Sequence, residues 1–502
     1  MPEHLRALAI IILLGGFAFW TLQGALSSLV AKTELRRWRN IWIAVVSAAF
    51  LSPDFWVFAA AISVIIAAFV PRSPEQRVAY YLLLVCALPN LSAEIPGFGG
   101  IRYLFELSYP RLLALLLLAP LLFNERRRLP SNLRLFRFPS DRFVAGFVIL
   151  VGLLAFRDDT ITNALRQIAM LLLDIMVPYY AISRYLRTTE DINVALTAIL
   201  VGILPIAYVG LFESLRHWHL YNEMARSLLG HALGGYDVRA DVLRASAVFK
   251  SPIVLGYVMV IAFSLLLYLR AFLPKSKSLV LSGGILILAL LGSVSRGPWV
   301  GFVVFFLAYI WSGRQRLRQY ALAAVVILLS FPLIMLTPYG EKFVNLLPVV
   351  GSIRADTIEY RQKLAEISWE LFQRNPVLGT THYRETPEME SMRQGQGIID
   401  IVNSYINIAL AYGMLGLIAF LLIFYSTASH LYKLTKNKLR FRGNESLLSR
   451  ILFAIHIYIL SVIATVSSID YVPIFYWTIV GLSATHINIM NETTLIKDSY
   501  TE

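Results

Sequence analysis

Residues 193–212 read Asn-Val-Ala-Leu-Thr-Ala-Ile-Leu-Val-Gly-Ile-Leu-Pro-Ile-Ala-Tyr-Val-Gly-Leu-Phe and hold no charged side chain. A helix of about 20 residues spans the hydrocarbon core of a bilayer. Runs of this kind recur along all 502 residues. Apolar residues make up 57% and charged residues 15%, against roughly 25% charged in a soluble globular protein. Mean hydropathy is +0.65. Length alone would suggest about three soluble domains, but such domains cannot hide this much apolar surface. A soluble enzyme, a secreted domain and a disordered chain are excluded. The fold class expected is all-α, a polytopic integral membrane protein.

Working outward from 193–213, spans are expected near 5–31, 78–93, 105–123, 142–156, 167–185, 252–272, 278–294, 298–312, 320–337, 403–426, 451–466 and 470–488, thirteen in all. Residues 41–70 form a further apolar stretch broken at Ser52-Pro53-Asp54. Pro53 cannot continue a helix, so a membrane hairpin fits there. The first span is too long for a signal-peptide core and reads as retained. Cys86 is the one cysteine, so no intrachain disulfide can form.

The formal charge is +14. Basic clusters at 32–40, 71–77, 124–142, 184–192, 270–277, 313–319 and 430–450, with the tail after His486, hold 27 Lys and Arg against 10 Asp and Glu. Short loops rich in Lys and Arg stay in the cytoplasm. The excess is therefore a topology signal, and no nucleic-acid partner is expected. The N-terminus falls outside and the tail 489–502 inside. The chain then divides into membrane helices over 1–213, an extracytoplasmic loop over 214–251, membrane helices over 252–337, a large extracytoplasmic loop over 338–402 and membrane helices over 403–488.

Within the large loop, Ile358, Leu364, Ile367, Leu371 and Phe372 fall near helical spacing. Asp356 is the expected cap and Asn375-Pro376 the stop. Such an amphipathic helix is expected to lie in the membrane interface, followed by a polar, mobile stretch from Gly379 to Gly397.

Candidate chemistry starts at Arg296, between Ser295 and the helix breakers Gly297-Pro298. A charge beside a bilayer is costly unless it reaches water or a partner. A snorkelling arginine is the bland alternative. The functional one is an anion site, a guanidinium fork suited to phosphate oxygens beside the free amides of a new helix. Arg244 follows the same logic, with Arg239 and Lys250 close by. Two arginines sharing one ligand would suit a diphosphate.

Proton-transfer candidates are Glu213, His217, His219, His231, His382, Glu385, Glu388, Glu390 and Asp400, most of them expected to be solvated loop residues. Asp400 stands apart beside Asn403 and Tyr405, where partial desolvation would strengthen it as a base. Asp470 reads equally well as a helix cap. The histidines are scattered without metal-ligand spacing, so no metal or other cofactor is expected.

Four motifs in order carry a resemblance: Arg244 with Phe249-Lys250-Ser251-Pro252; Ser295-Arg296-Gly297-Pro298-Trp299; Tyr360-Arg361 with Arg374-Asn375-Pro376-Val377-Leu378-Gly379; and Asn403-Ser404-Tyr405-Ile406 with Tyr412-Gly413-Met414-Leu415-Gly416. Over about 240–425 the chain resembles the O-antigen ligase and Wzy-type polysaccharide polymerase superfamily. The resemblance implies a metal-independent glycosyltransferase on the outer face of the bacterial inner membrane, with a polyprenyl diphosphate-linked glycan as donor. It assigns Arg244 and Arg296 to the diphosphate and Arg361 to a further family position. With them, Asn403, Tyr405, Lys250 and Ser295 are the expected substrate-binding residues.

Ligases of the family usually carry histidine before the asparagine, as the proposed base. Val402 stands there instead, which is more like the exopolysaccharide-polymerase branch, and Asp400, one helical turn from Asn403, is expected to take over acceptor activation. Polymerisation of lipid-linked repeats is the expected function, with membrane lipids, a flippase and a chain-length regulator as partners. The alternatives are a ligase moving finished glycan to a lipid A core or protein, and a polysaccharide transporter whose path Asp174 and Arg111 would mark.

Overall fold

The computed structural model describes residues 1–124, 136, 138–158, 160–239, 242–313, 315–322, 355–393, 399–436 and 444–499. Most of the expected span at 320–337 and all of 338–354 lie outside them, as does the Asp356 side chain. Among the described residues, eight helices are long and apolar enough to cross a membrane: Glu3–Leu26, Pro139–Arg157, Ile161–Tyr185, Thr189–Arg216, Pro252–Leu269, Ser404–Lys436, Asn444–Ile463 and Val472–Thr493. The chain is a multi-pass membrane protein, mostly helical, with two short strand pairs among the described residues.

The chain forms two units: Met1–Phe138, Ala169–Ser295 and Asp470–Glu502 make the first, Pro139–Ile168 and Arg296–Ile469 the second. In the first, Thr189–Arg216 is the most enclosed of the eight candidate spans. Thr188 caps it by accepting from the Asp191 amide at 3.1 Å while Asp191 accepts from the Thr188 amide at 2.9 Å, a reciprocal capping box. It ends at His217 in the left-handed region, φ 55°.

Two expected spans are shorter than their apolar runs. The helix expected at 78–93 is Pro74–Leu84, and the one expected at 105–123 opens at Tyr109. Between them Ser92–Pro96 pairs antiparallel with Tyr103–Ser108, turning through Gly99 and Gly100 at φ 60° and 86°. Pro89 cannot continue the first helix. The carbonyls freed after Leu84 find donors: Tyr109 donates to Leu84 at 2.7 Å, Tyr221 to Ala87 at 3.3 Å and Tyr471 to Leu88 at 2.6 Å. The strands are half-exposed and lie largely between the two apolar runs, where a few mixed residues carry no clear period, so the hairpin escapes the sequence.

The stretch 41–70 is two helices, Lys32–Leu51 and Phe55–Phe69, broken at Ser52–Asp54 as expected. Asp54 caps the second by accepting from Trp56 at 2.7 Å. The basic cluster 32–40 belongs to the first helix rather than to a loop.

In the second unit, Ser404–Lys436 packs on Pro139–Asp158 through Phe147, whose ring meets Tyr412 and Phe420. Arg296–Ser312 packs on Asn444–Ile463 at Gly301, where an added Cβ would come 2.6 Å from both Tyr458 and Val462. The amphipathic helix runs Ala355–Arg374. Its apolar face is taken up by protein: Leu364 and Leu371 are buried with Tyr383, Met389, Met392, Ile401, Leu410 and Ala411. Each buried leucine contributes about 1.5–3 kcal/mol. The mobility expected after Gly379 is corrected: Thr381–Glu385 and Pro387–Glu390 are helical turns anchored by Tyr383 and Met389. Residues 394–398 lie outside the described set.

Candidate functional site

The second unit gathers several of the sequence candidates around one turn, Thr465–Ser468. Gly297, next to Arg296, lies against it: an added Cβ would stand 3.0 Å from Thr465 Oγ1. Ser404 Oγ donates to the Val466 carbonyl at 2.7 Å and receives the Ser468 hydroxyl at 2.8 Å. Ser467 Oγ bridges Asp400 Oδ1 at 2.8 Å and the Ile401 carbonyl at 2.6 Å. Tyr360 Oη donates to the Asp400 carbonyl at 3.0 Å, which brings the neighbouring, exposed Arg361 to the same region. Arg296, half-buried, is the first residue of the helix Arg296–Ser312. A new helix presents amide donors and a positive dipole end.

Two expectations about Asp400 are corrected. The residue is exposed rather than partly buried. It also lies in extended chain before the helix starts at Ser404, not one helical turn from Asn403. Asn403 is the helix cap, its Oδ1 accepting from the Tyr405 amide at 2.9 Å and the Ile406 amide at 3.3 Å. Tyr405 Oη donates to the Leu460 carbonyl at 2.7 Å. Both side chains expected to bind substrate are occupied by the scaffold. Val402 packs against the apolar cluster beneath the amphipathic helix.

The two glycine motifs explain each other. The helix Ser404–Lys436 breaks at Gly413, φ 66° and ψ −167°, and the chain 376–380 docks into the break. Met414 N–H donates to the Pro376 carbonyl at 2.8 Å, Leu415 N–H to Val377 at 3.3 Å, and Thr380 N–H to Leu410 at 2.8 Å.

The first unit holds Arg244. It is 8% exposed, ion-paired through Nη1 to Asp237, and donates from Nη2 to Ser295 Oγ at 3.0 Å and from Nε to the Ser293 carbonyl at 3.5 Å. Ser295, expected to bind substrate, is buried as this partner. Val294 precedes it in the left-handed region, φ 44°, and its carbonyl accepts from Arg239 at 3.4 Å. The chain leaves the first unit at Ser295 and enters the second at Arg296.

Glu213 is the organiser that the sequence placed among solvated loop residues. It is fully buried. Its carboxylate accepts from the Leu220, Ser246 and Ala247 amides at 3.1, 3.1 and 2.9 Å and pairs with His219 Nδ1 at 3.0 Å. These bonds fix the loop 244–250, including Ala247 at φ 51°. A buried carboxylate needs such partners. The loop's far end is held by Lys250 N–H donating to Asp470 Oδ2 at 3.2 Å; the exposed Lys250 side chain plays no part in that bond.

Other candidates are paired on the surface. Hydrogen bonding from Arg374 holds the Glu388 carboxyl below its usual range, and Arg393 does the same for Glu390. His382 pairs with Glu385 at 3.1 Å, His231 with its neighbour's carbonyl, and His217 is the exposed helix end. Asp174 and Arg111 form a bidentate pair, both bonds 2.8 Å, the arrangement that neutralises charge in a membrane segment. Among the described residues, no three of His, Cys, Asp and Glu come together as a metal site.

Residues 281–421 match the family model described as O-antigen ligase, so this segment of the chain is similar to that family. At family level that supports a membrane enzyme of the ligase and polymerase type, one that transfers glycan. A search of curated proteins finds no match.

Proposed function

We propose that the chain lengthens a surface polysaccharide or exopolysaccharide by moving a growing glycan from its polyprenyl diphosphate carrier to a sugar hydroxyl of a lipid-linked repeat. The observation that carries this is the assembly around Thr465–Ser468, where Asp400, Ser404 and the start of the Arg296 helix meet inside the second unit. Arg296 is the cation for the departing diphosphate, assisted by the helix amides. Arg244, in the first unit, has its geometry fixed in advance by its bonds to Asp237 and Ser295. Charge stabilisation arranged before the reaction is the largest single contribution in many enzymes. Asp400 and Arg361 are exposed and suited to hydrogen-bond sugar hydroxyls. Asn403 and Tyr405 act through the fold, as helix cap and helix anchor.

The basic loops favour the bacterial inner membrane, with this chemistry on the outer face. A flippase delivering the repeat and a chain-length regulator are the partners such a reaction requires.

Transfer of finished glycan to a lipid A core or protein uses the same donor, and the O-antigen ligase description of the matched domain favours it. Val402 argues the other way: a valine at the position of the family's usual histidine moves no proton. Size analysis of surface glycan from cells carrying Arg296→Ala, at matched membrane levels, separates the two. Loss of the long ladder with single-repeat acceptors remaining supports polymerisation. Long glycan stranded on the polyprenyl carrier identifies a ligase, and an unchanged ladder removes both.

A further inference from the structure

Asp470 carries an anomaly that the glycosyl-transfer assignments above leave unused. Its Oδ2 accepts from the Lys250 amide, while Oδ1 is shut off from solvent and finds no hydrogen-bond partner among the described residues. A buried carboxylate oxygen without a donor costs free energy. The backbone adds to it: Asp470 sits at φ 52°, a region that non-glycine residues seldom occupy. Orphaned buried acceptors and strained backbone are commonest where a ligand completes the arrangement.

Its surroundings are those of the Arg244 loop. Lys250, which holds Asp470, is six residues beyond Arg244 in the segment that Glu213 anchors. The groups facing the carboxylate are the Lys250 amide and ammonium from that loop, Cys86 from the turn after Pro74–Leu84, and the Tyr471 amide and phenol, with Tyr81 and Tyr109 behind Tyr471. Lys250 is the lone charged group among them, and the rest are apolar or neutral hydrogen-bonding groups. Burial pushes the Asp470 carboxyl up to about 6, so it is ionised at neutral pH yet basic enough to hold a proton in transit.

Resting on the glycosyl-transfer function proposed above, we propose that Asp470 Oδ1 is the acceptor-activating base, receiving the hydrogen bond and then the proton of the attacking sugar hydroxyl. The hydroxyl O–H bond breaks with its proton passing to Oδ1. The freed oxygen pair forms the new bond to the anomeric carbon. The bond from that carbon to the diphosphate oxygen breaks, and its electrons leave with the polyprenyl diphosphate. A base screened from water also avoids activating water against the donor.

The test uses purified full-length protein in nanodiscs with a polyprenyl diphosphate-linked repeat, initial rates being followed from pH 5 to 8. The wild type is expected to lose activity on the acid side with a midpoint near the carboxyl's raised value. Asp470→Asn retains an acceptor for the Lys250 amide and is expected to lose at least 100-fold in kcat, with that acid limb gone and the donor KM within threefold. Asp470→Glu, which keeps a proton acceptor, is expected to recover part of the rate with a displaced limb. An Asn variant within threefold of wild type, carrying the same limb, overturns the assignment while leaving the transferase function standing. So does loss of membrane accumulation by both variants, which marks a scaffold role. Wild type forming no glycosidic bond under any condition overturns the transferase function itself, and Asp470's role with it.

Discussion

Gly379 and Gly413 both lie in the left-handed region, at φ 63° and 66°, and each occupies space that a side chain on the other segment cannot share. A Cβ on Gly379 would come 2.4 Å from the Leu410 carbonyl oxygen, and one on Gly413 would come 2.2 Å from that of Val377. The opposing atoms are backbone, so they cannot swing aside. Gly413→Ala is expected to cost at least about 2 kcal/mol, combining positive-φ strain with the clash. Thermal unfolding in detergent measures it, and a variant as stable as wild type would show that the two segments do not meet.

Glu213→Ala removes the acceptor for three backbone amides and the His219 ring at once. Each buried donor left without a partner costs about 1–3 kcal/mol. Hydrogen exchange at Ser246 and Ala247 is expected to accelerate in the variant, and transfer activity to fall with it. Unchanged protection of those amides would mean that Glu213 does not hold the Arg244 loop.

Asp470 makes stability depend on pH in a definite direction. Its carboxyl titrates at about 6 in the fold and near 3.9 in an unfolded chain. Between those values the native state binds more protons, so stability falls as pH rises from about 4 to about 6, by an amount on the order of 2–3 kcal/mol. Asp470→Asn is expected to flatten that slope and to be the more stable protein at pH 7. Parallel slopes for the two proteins between pH 4 and 6 would contradict it.

Ser467→Ala takes away the hydroxyl shared by Asp400 and the Ile401 carbonyl. If Asp400 orients the acceptor sugar, the variant raises the acceptor KM about tenfold, worth roughly 1.4 kcal/mol, with kcat nearly unchanged. Asp400→Asn should do the same. A fall confined to kcat in both would point instead to proton transfer at Asp400.

The membrane helices were legible because uncharged runs of the right length allow few other structures. The break at Ser52–Asp54 was legible for a similar reason, since Pro53 leaves a local mark. Contacts between distant residues left none. Glu213 looks like a loop acid until Ser246 and Ala247, more than thirty positions away, donate to it. Ser467 gains meaning through Asp400. The stretch after Gly379 looks polar because its anchors, Tyr383, Met389 and Met392, follow no regular period. Family-like motifs misled in one respect: Asn403 and Tyr405 sit where a substrate contact is expected, yet their side chains serve the helix itself.

The docking of Pro376–Thr380 into the broken helix fixes relative registration, because a slide by one turn would forfeit every bond to residues 410, 414 and 415 together. The two segments therefore move as one piece, and the helix keeps its place as a fixed jaw of the second unit.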